Sequence, residues 1–303
     1  MNVPYTKTWL SVSGQLAKLE SRGLVVQDRA AASDFLGHLN YYCFVGYGLA
    51  FEQTRHSYRS GTTFEQVRQA YEFDRTLRDL FTESIELIEL DLRTATAYSF
   101  AEMHQPFGHT DPANFFHKNR HSDWLDNLRK ESMRATDIFV KHHKATYQEF
   151  PDLPLWVATE IMSFGSLSKM IQCMGKNDQK RIADRYGLQP YTLVSFVHHL
   201  VYIRNLCAHH ARLWDRVWAI APKLPKGKMW NPPLLPQNNR LFASLLVQVA
   251  FLRNIRAEKT FVRDWKKRMQ DLISMRLPAC PDPLRKMGVP VEWLEHPPWK
   301  QIG

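Results

Sequence analysis

From Thr63 to about Met103 the chain passes through a helical pattern with almost no interruption, and this run constrains the fold more than any other segment. Thr63 followed three residues later by Gln66 forms a capping box, which satisfies two of the amides that a helix start leaves orphaned. Beyond it Phe73, Leu77, Leu80, Phe81, Ile85, Ile88 and Leu92 recur at intervals of three and four, the spacing of one helix face. A strand, whose faces alternate every second residue, cannot bury that pattern. Globular helices usually run about 8 to 20 residues, so the segment is expected to bend or to divide into two consecutive helices.

The flanking segments read as further helices and connections. Residues 11 to 22, started by Ser11 and stopped by Gly23, form an amphipathic helix, and 28 to 39 a second, short one. Tyr41 to Gly61 is rich in aromatics and Gly without a sustained period, which predicts a loop or an extended connection. A loop is expected over 105–122, a charged helix from Asp123 to about Tyr147, and two short helices, Leu155 to Met162 and Ser166 to Met174, about a Phe164-Gly165 corner. Asn177 would cap a helix over Asp178 to Tyr186 that ends at Gly187. Glu160, inside an otherwise apolar helix, is either a buried partner for an arginine or solvated. The run 192–216 lacks Gly and Pro and follows Pro190, so it reads as another helix. Pro222 to Pro236 is too proline-rich for a helix or a central strand and carries Lys223, Lys226 and Lys228. A long helix follows from about Asn239 to Met275, apolar early and basic late (Arg253, Arg256, Lys259, Arg263, Lys266, Lys267, Arg268). The tail from Pro278 wraps the surface, with Trp293 and Trp299 as anchors. The expected fold class is all-α: an N-terminal helical extension over 1–60, a helical bundle over 61–277 and a Pro-rich C-terminal tail over 278–303.

Composition narrows the partners. Forty Lys and Arg against thirty Asp and Glu give a formal charge of +10, which favours an anionic partner. No stretch approaches about 18 consecutive apolar residues, and Met1-Asn2-Val3-Pro4 lacks the apolar core of a signal peptide, so a cytoplasmic protein without a membrane partner is expected. Nucleic acid is the remaining choice. Arg75, Arg78 and Arg93 either pair with Asp74, Asp79 and Asp91 or with solvent, or reach that nucleic acid. In the late basic helix Phe261 and Trp265 are interleaved with cations, so a phosphate-tracking surface built on Arg263, Lys266 and Lys267 competes with a merely solvated face. Cys43, Cys173, Cys207 and Cys280 lie far apart without a Cys-x-x-Cys pair, which predicts reduced core thiols. Only His117 and His121 have the i, i+4 spacing of a zinc site, and no Glu follows His117, so no metal is expected. With no Gly-x-Gly-x-x-Gly, P-loop or Gly-x-Ser-x-Gly, no cofactor is expected either.

Phosphate-binding and proton-transferring side chains crowd into Tyr202 to Arg216. At about 100° per residue, Phe196, Leu200, Ile203, Cys207, Ala211 and Trp214 fall into one apolar stripe. His198, Tyr202, Asn205, His209, Arg212 and Arg216 gather roughly opposite, with Arg204 flanking them. Arg204-x-x-x-x-His209, with Asn205 directly after the arginine, resembles the signature of the HEPN ribonucleases. The chain as a whole is similar to the Abi-like (abortive-infection, AbiD/AbiF-type) family. The resemblance is carried by Tyr5-Thr6-Lys7, Gln15 to Gly23, Leu39-Asn40-Tyr41-Tyr42, Gly46-Tyr47, Tyr71-x-Phe73-Asp74-Arg75-x-Leu77-Arg78, Leu92-Arg93-Thr94, Pro154-x-Trp156-x-x-x-Glu160, Ser163-Phe164-Gly165-x-Leu167-Ser168 and Arg204 to Arg216. Cys43-Phe44-Val45 departs from it, standing where a basic and then a small polar residue would be expected.

The resemblance implies a HEPN-type bundle and a toxin-like, metal-independent endoribonuclease of an anti-phage system. RNA can be cut without a metal when its own 2'-hydroxyl attacks the neighbouring phosphate. Histidine ordinarily titrates near neutrality, so His209 would move the proton, Arg204 would hold the non-bridging phosphate oxygens, and Asn205 would orient the imidazole or the phosphate. His210, Arg212 and Arg216 would bind substrate. Relatives build a composite site from two such helices, so one motif per chain implies a homodimer, and a structured noncoding RNA is the implied restraining partner. The alternative is a catalytically silent RNA-binding protein that assembles on a structured RNA.

Overall fold

The computed structural model describes residues 4–6, 8–226, 230, 237–255 and 259–300. The first three helices are α1 (Val12–Glu20), α2 (Arg29–His38) and α3 (Tyr41–Gly48). A short hairpin, β1 (Glu52–Thr54) antiparallel to β2 (Ser57–Tyr58), leads into α4 (Phe64–His104). There follow α5 (Lys118–Arg134), α6 (Ile138–Thr146), α7 (Leu155–Ile161), α8 (Phe164–Cys173), α9 (Lys176–Arg185) and α10 (Pro190–Ala208). The chain closes with α11 (Leu241–Leu252), α12 (Lys259–Met275), α13 (Pro283–Met287) and α14 (Pro297–Lys300). The architecture is all-α.

Helix α4 is one continuous element of 41 residues, about 60 Å long at 1.5 Å per residue, and does not divide into two. The Thr63 side chain and the Gln66 side chain close the capping box in both directions. No Gly or Pro interrupts the helix, and α3, α7, α9, α10, α11 and α12 all pack along it, so buried residues extend from Phe64 to Phe100. It is the spine of the molecule. Usual helix lengths apply to a helix lying on one core, whereas this helix runs through the whole body.

Tyr41–Gly48 is a helix rather than a loop. Asn40 caps it by accepting from the Tyr42 amide at 2.8 Å, and Phe44 stacks on Phe64 with ring centroids 4.4 Å apart. Eight residues are too few to display a period, and the helix is held by aromatic packing on α4. The helix expected from Asp123 to Tyr147 begins earlier, at Lys118, and divides at 135–137 into α5 and α6. His121 belongs to the core: its Nε2 lies 2.8 Å from the His109 carbonyl and its ring stacks on Phe115. Glu160 is exposed, which removes it as a buried arginine partner. Gly175, not Asn177, stands at the cap of α9.

The helix expected over 239–275 is two helices. All twelve residues of α11 are buried, which makes it the central helix, and its polar residues are paired inside: Gln248 with the Ser84 hydroxyl, Ser244 with His199. In the tail Trp293 and Trp299 are buried with rings 4.8 Å apart, and Trp299 lies 6.1 Å from Trp265 of α12. The segments 1–60, 61–277 and 278–303 all contribute to one buried cluster that extends from Leu16 to Trp299. Lys7, Lys228, Arg256 and the stretch 231–236 lie outside the described residues. Among the described residues no helix is long and apolar enough to cross a membrane.

His199 joins α10 to α11 as a neutral ring. Its Nδ1 lies 2.6 Å from the Ile220 carbonyl, which can only accept, so Nδ1 carries the proton and Nε2 accepts from the Ser244 hydroxyl at 2.7 Å. Burial lowers its pKa to about 4, and burial lowers that of His109 equally. Both rings protonate more readily in the unfolded chain, so stability is intact above pH ~6.5 and falls as pH drops toward 4. Each should cost about 2 kcal/mol by pH ~5. Urea unfolding of wild type and His199→Asn at about pH 7.5 and pH 5 should show the smaller acid loss in the variant.

Candidate active site

Helix α10 enters the core with Pro190 in its first turn and buries Phe196, Leu200, Ile203 and Cys207, the apolar stripe expected from spacing. It ends at Ala208, well short of Arg216. His210 takes a left-handed conformation with φ +52°, its amide donates to the Cys207 carbonyl at 3.0 Å, and the Ala211 amide donates to the Leu206 carbonyl at 2.9 Å. That pair of bonds is a Schellman motif, which closes a helix and turns the chain away. Trp214 is buried, as expected, but it reaches the core from this turn and not from the helix face. Ala211 is half-buried in the same turn.

What holds the turn is Asp74 of α4, a carboxylate with no exposed surface. Its Oδ1 accepts the amides of Trp214 at 2.7 Å and Leu213 at 3.0 Å, its Oδ2 accepts the Tyr47 hydroxyl at 2.8 Å, and Arg78, one turn along α4, pairs with it. Arg78 also donates to the Tyr47 oxygen at 3.0 Å. Burial pushes the Asp74 carboxyl upward, opposed by the Arg78 guanidinium and then by the amides and the phenol. The Arg78 guanidinium is lowered by its own burial and raised past that by Asp74 and Tyr47. Arg212 adds a second tie by donating to the Gly46 carbonyl at the end of α3.

The turn therefore presents Arg204, Asn205, His209 and His210 on the surface, all four exposed. Arg204 reaches the Asn205 side-chain oxygen at 3.4 Å. A cavity of about 670 Å³ opens beside them, lined by Arg75, Arg78, Arg204 and His210 together with Tyr71 and Cys207. Asn205 and His209 do not line it. They project from the adjoining surface of the same helix end, about 100° round from Arg204 and Ala208. Burial pushes the Cys207 thiol up to about 12, which keeps it protonated and unsuited to nucleophilic attack. The cavity can bind an anion: Arg75 and Arg204 line it without an intramolecular ion pair among the described residues, whereas Arg78 is neutralised by Asp74 and Asp79 brings one carboxylate to the same lining.

The other candidates from the sequence lie elsewhere. Arg212 is half-buried on Gly46, and Arg216 is half-buried beyond the turn, outside the cavity lining. On α12, Arg263 is exposed beside Asp264 at 3.3 Å, Lys267 is exposed, and Lys266 lies over the Trp299 ring at 5.8 Å. Trp265 is unavailable for stacking on a base because it is buried, with its Nε1 donating to the Leu80 carbonyl at 2.8 Å. Of the α4 arginines, Arg78 goes to Asp74, the pairing that one of the two expectations named. Arg93 pairs with Glu89 and donates to the Thr159 carbonyl, and Asp91 is taken by Arg185 and Tyr186. Arg75 and His210, both offered by the sequence as nucleic-acid contacts, line the cavity. The i, i+4 pair Asp74/Arg78 inside an apolar stripe was the available sign that this surface of α4 meets another polar element.

A family model described as Abi-like protein matches residues 34–215, more than half of the 303 residues. The match runs from α2 through α4 to Asp215, and so spans Tyr47, Asp74, Arg78 and the turn after α10. No curated protein and no solved structure gives a significant match.

Removing one member of a buried pair leaves the other charged and unsatisfied. Asp74→Ala should therefore lower stability by about 3–5 kcal/mol, and Arg212→Ala, which removes one charged hydrogen bond, by about 1.5 kcal/mol. Chemical denaturation of the two variants against wild type checks both the magnitudes and their order.

Proposed function

This chain belongs to the Abi-like family, and from that premise we propose that it is a toxin-like, metal-independent endoribonuclease of a bacterial abortive-infection system, active as a homodimer and restrained by a structured noncoding RNA. The observation that carries this reading is the joint exposure of Arg204, Asn205 and His209 at one helix end, beside a cavity lined by arginines. Arg78 and Arg212, by contrast, are turned inward onto Asp74 and the Gly46 carbonyl.

In the proposed reaction the 2'-hydroxyl of RNA attacks the adjacent phosphorus and the 5'-oxygen of the next nucleotide leaves, giving a 2',3'-cyclic phosphate. Arg204 offsets the charge that grows on the non-bridging oxygens, in the two-pronged geometry that a guanidinium supplies. His209 moves the proton. The Arg204 to Asn205 contact favours Asn205 as the group that orients the guanidinium. Because Asn205 and His209 sit on open surface, a second subunit can bring its own Arg204 to them, which supports a composite site across a two-fold axis. Arg75 and His210 supply further phosphate contacts within the cavity.

Incubation of labelled RNA with the protein in EDTA tests the reading. Cleavage should persist and leave cyclic phosphate ends, and Arg204→Ala or His209→Ala should each abolish it with an unchanged circular dichroism spectrum. Full nuclease activity in the double substitution would sink the assignment. Binding without cutting by the wild type would identify instead a silent RNA-binding protein that assembles on a structured RNA.

Affinity on either reading should be electrostatic. Neutralising Arg263 and Lys267 together should flatten the slope of log K against log salt by roughly 0.7–0.9 for each phosphate that the two cations had neutralised. A titration series across salt concentrations decides whether α12 touches RNA or is only solvated.

A further inference from the structure

A second cavity, of about 540 Å³, lies where the N-terminal segment crosses the corner between α2 and α3, and aromatic side chains form much of its wall. Tyr5, Trp9, Tyr41 and Tyr42 line it with Lys18 and His38. Three of the rings are left largely uncovered, Trp9 at 86 %, Tyr5 at 79 % and Tyr42 at 66 % of their surface. Tyr41 and Tyr42 meet edge to face with centroids 5.8 Å apart, and the Tyr41 hydroxyl accepts from Arg22 at 3.4 Å. Leu39 lines both this cavity and the arginine-lined one. The two therefore meet at a shared residue, the one richer in aromatic side chains and the other in cationic ones.

That juxtaposition has a chemical reading. A nucleic-acid strand alternates flat apolar bases with anionic phosphates, and surfaces that hold single strands combine stacking rings with a positive track. A duplex hides its base faces and offers only phosphates and groove edges, so exposed rings add nothing to its binding. An apolar protein ligand would use the rings but not Arg75, Arg204 and His210 of the adjoining cavity, and the net charge of +10 favours an anionic ligand.

We propose that the surface running from Trp9 and Tyr42 across Leu39 to Arg75 and Arg204 binds unpaired RNA, with bases stacked on the aromatic side and phosphates held on the cationic side. The proposal rests on the reading of RNA as the ligand and does not require that the RNA be cut. Trp9 and Tyr42 are binding residues, and they set a preference for single-stranded over double-stranded substrate.

The test uses the full chain in a His209→Ala background, so that cleavage does not confuse binding. Fluorescence anisotropy is read with a labelled, unstructured oligoribonucleotide, with the same strand annealed to its complement, and with an abasic strand of equal length. Trp9→Ala and Tyr42→Ala should each weaken binding of the unpaired strand by about tenfold and leave the duplex and the abasic strand unaffected, and Tyr42→Phe should bind as the parent does. Equal weakening on all three probes, or none on the unpaired strand, would overturn the proposal. So would a shift of Trp9→Ala from dimer to monomer in sedimentation with unchanged RNA affinity, which would make the rings a protein contact. Absence of cleavage by the wild-type protein would count against the ribonuclease reading alone.

Discussion

A single buried carboxylate organises this protein. Asp74 sits inside the longest helix, where an unpaired charge would cost several kcal/mol, and it is compensated from three directions at once: Tyr47 from α3, Arg78 from its own helix, and two successive amides from the turn after α10. Each partner comes from a different part of the chain. The carboxylate therefore acts as a coordinate at which α3, α4 and the end of α10 must meet, and it gives the amides of the turn a charged acceptor inside the core. The Arg212 bond to Gly46 repeats the link between the turn and α3 on the outside.

The consequence for the surface is that the helix end carrying Arg204, Asn205 and His209 is held by buried bonds while its own side chains stay exposed. Arginines divide into two sets by their partners. Arg78, Arg93, Arg185 and Arg268 are taken by carboxylates of the same chain. Arg75 and Arg204 have no carboxylate partner among the described residues and line the cavity beside α10 next to the paired Arg78. Net charge alone does not distinguish these sets, because a paired cation contributes to the total without attracting a ligand at close range.

Helix α12 shows the same division within one element. Val262, Trp265, Met269, Leu272 and Ile273 are buried against the spine and the tail, and the basic residues alternate with them on the outer face. Aromatic residues near cations therefore had a structural cause at Trp265, whose indole is anchored to the Leu80 carbonyl. The Trp9 and Tyr42 rings are exposed instead, which is why the aromatic surface at the α2–α3 corner, and not α12, carries the stacking assignment.

Helical character, the starts of several helices and the core-facing residues of α10 are legible in the sequence. Those signals are local: the Thr63/Gln66 box, the Ser11 cap and the spacing of Phe196, Leu200, Ile203 and Cys207 act within one or two turns. The motif Arg204 to His209 was legible for the same reason. Where α10 stops was not legible, since its left-handed cap is at His210, a residue that does not advertise φ above zero, and the stop is held by amides reaching a carboxylate far away in sequence. The continuity of α4, the division of 239–275 and the helical state of the short α3 were hidden as well, because each depends on what packs from elsewhere in the chain. Which cations are paired inside the fold and which face the cavity is of the same kind: a charge has no local pattern that names its partner.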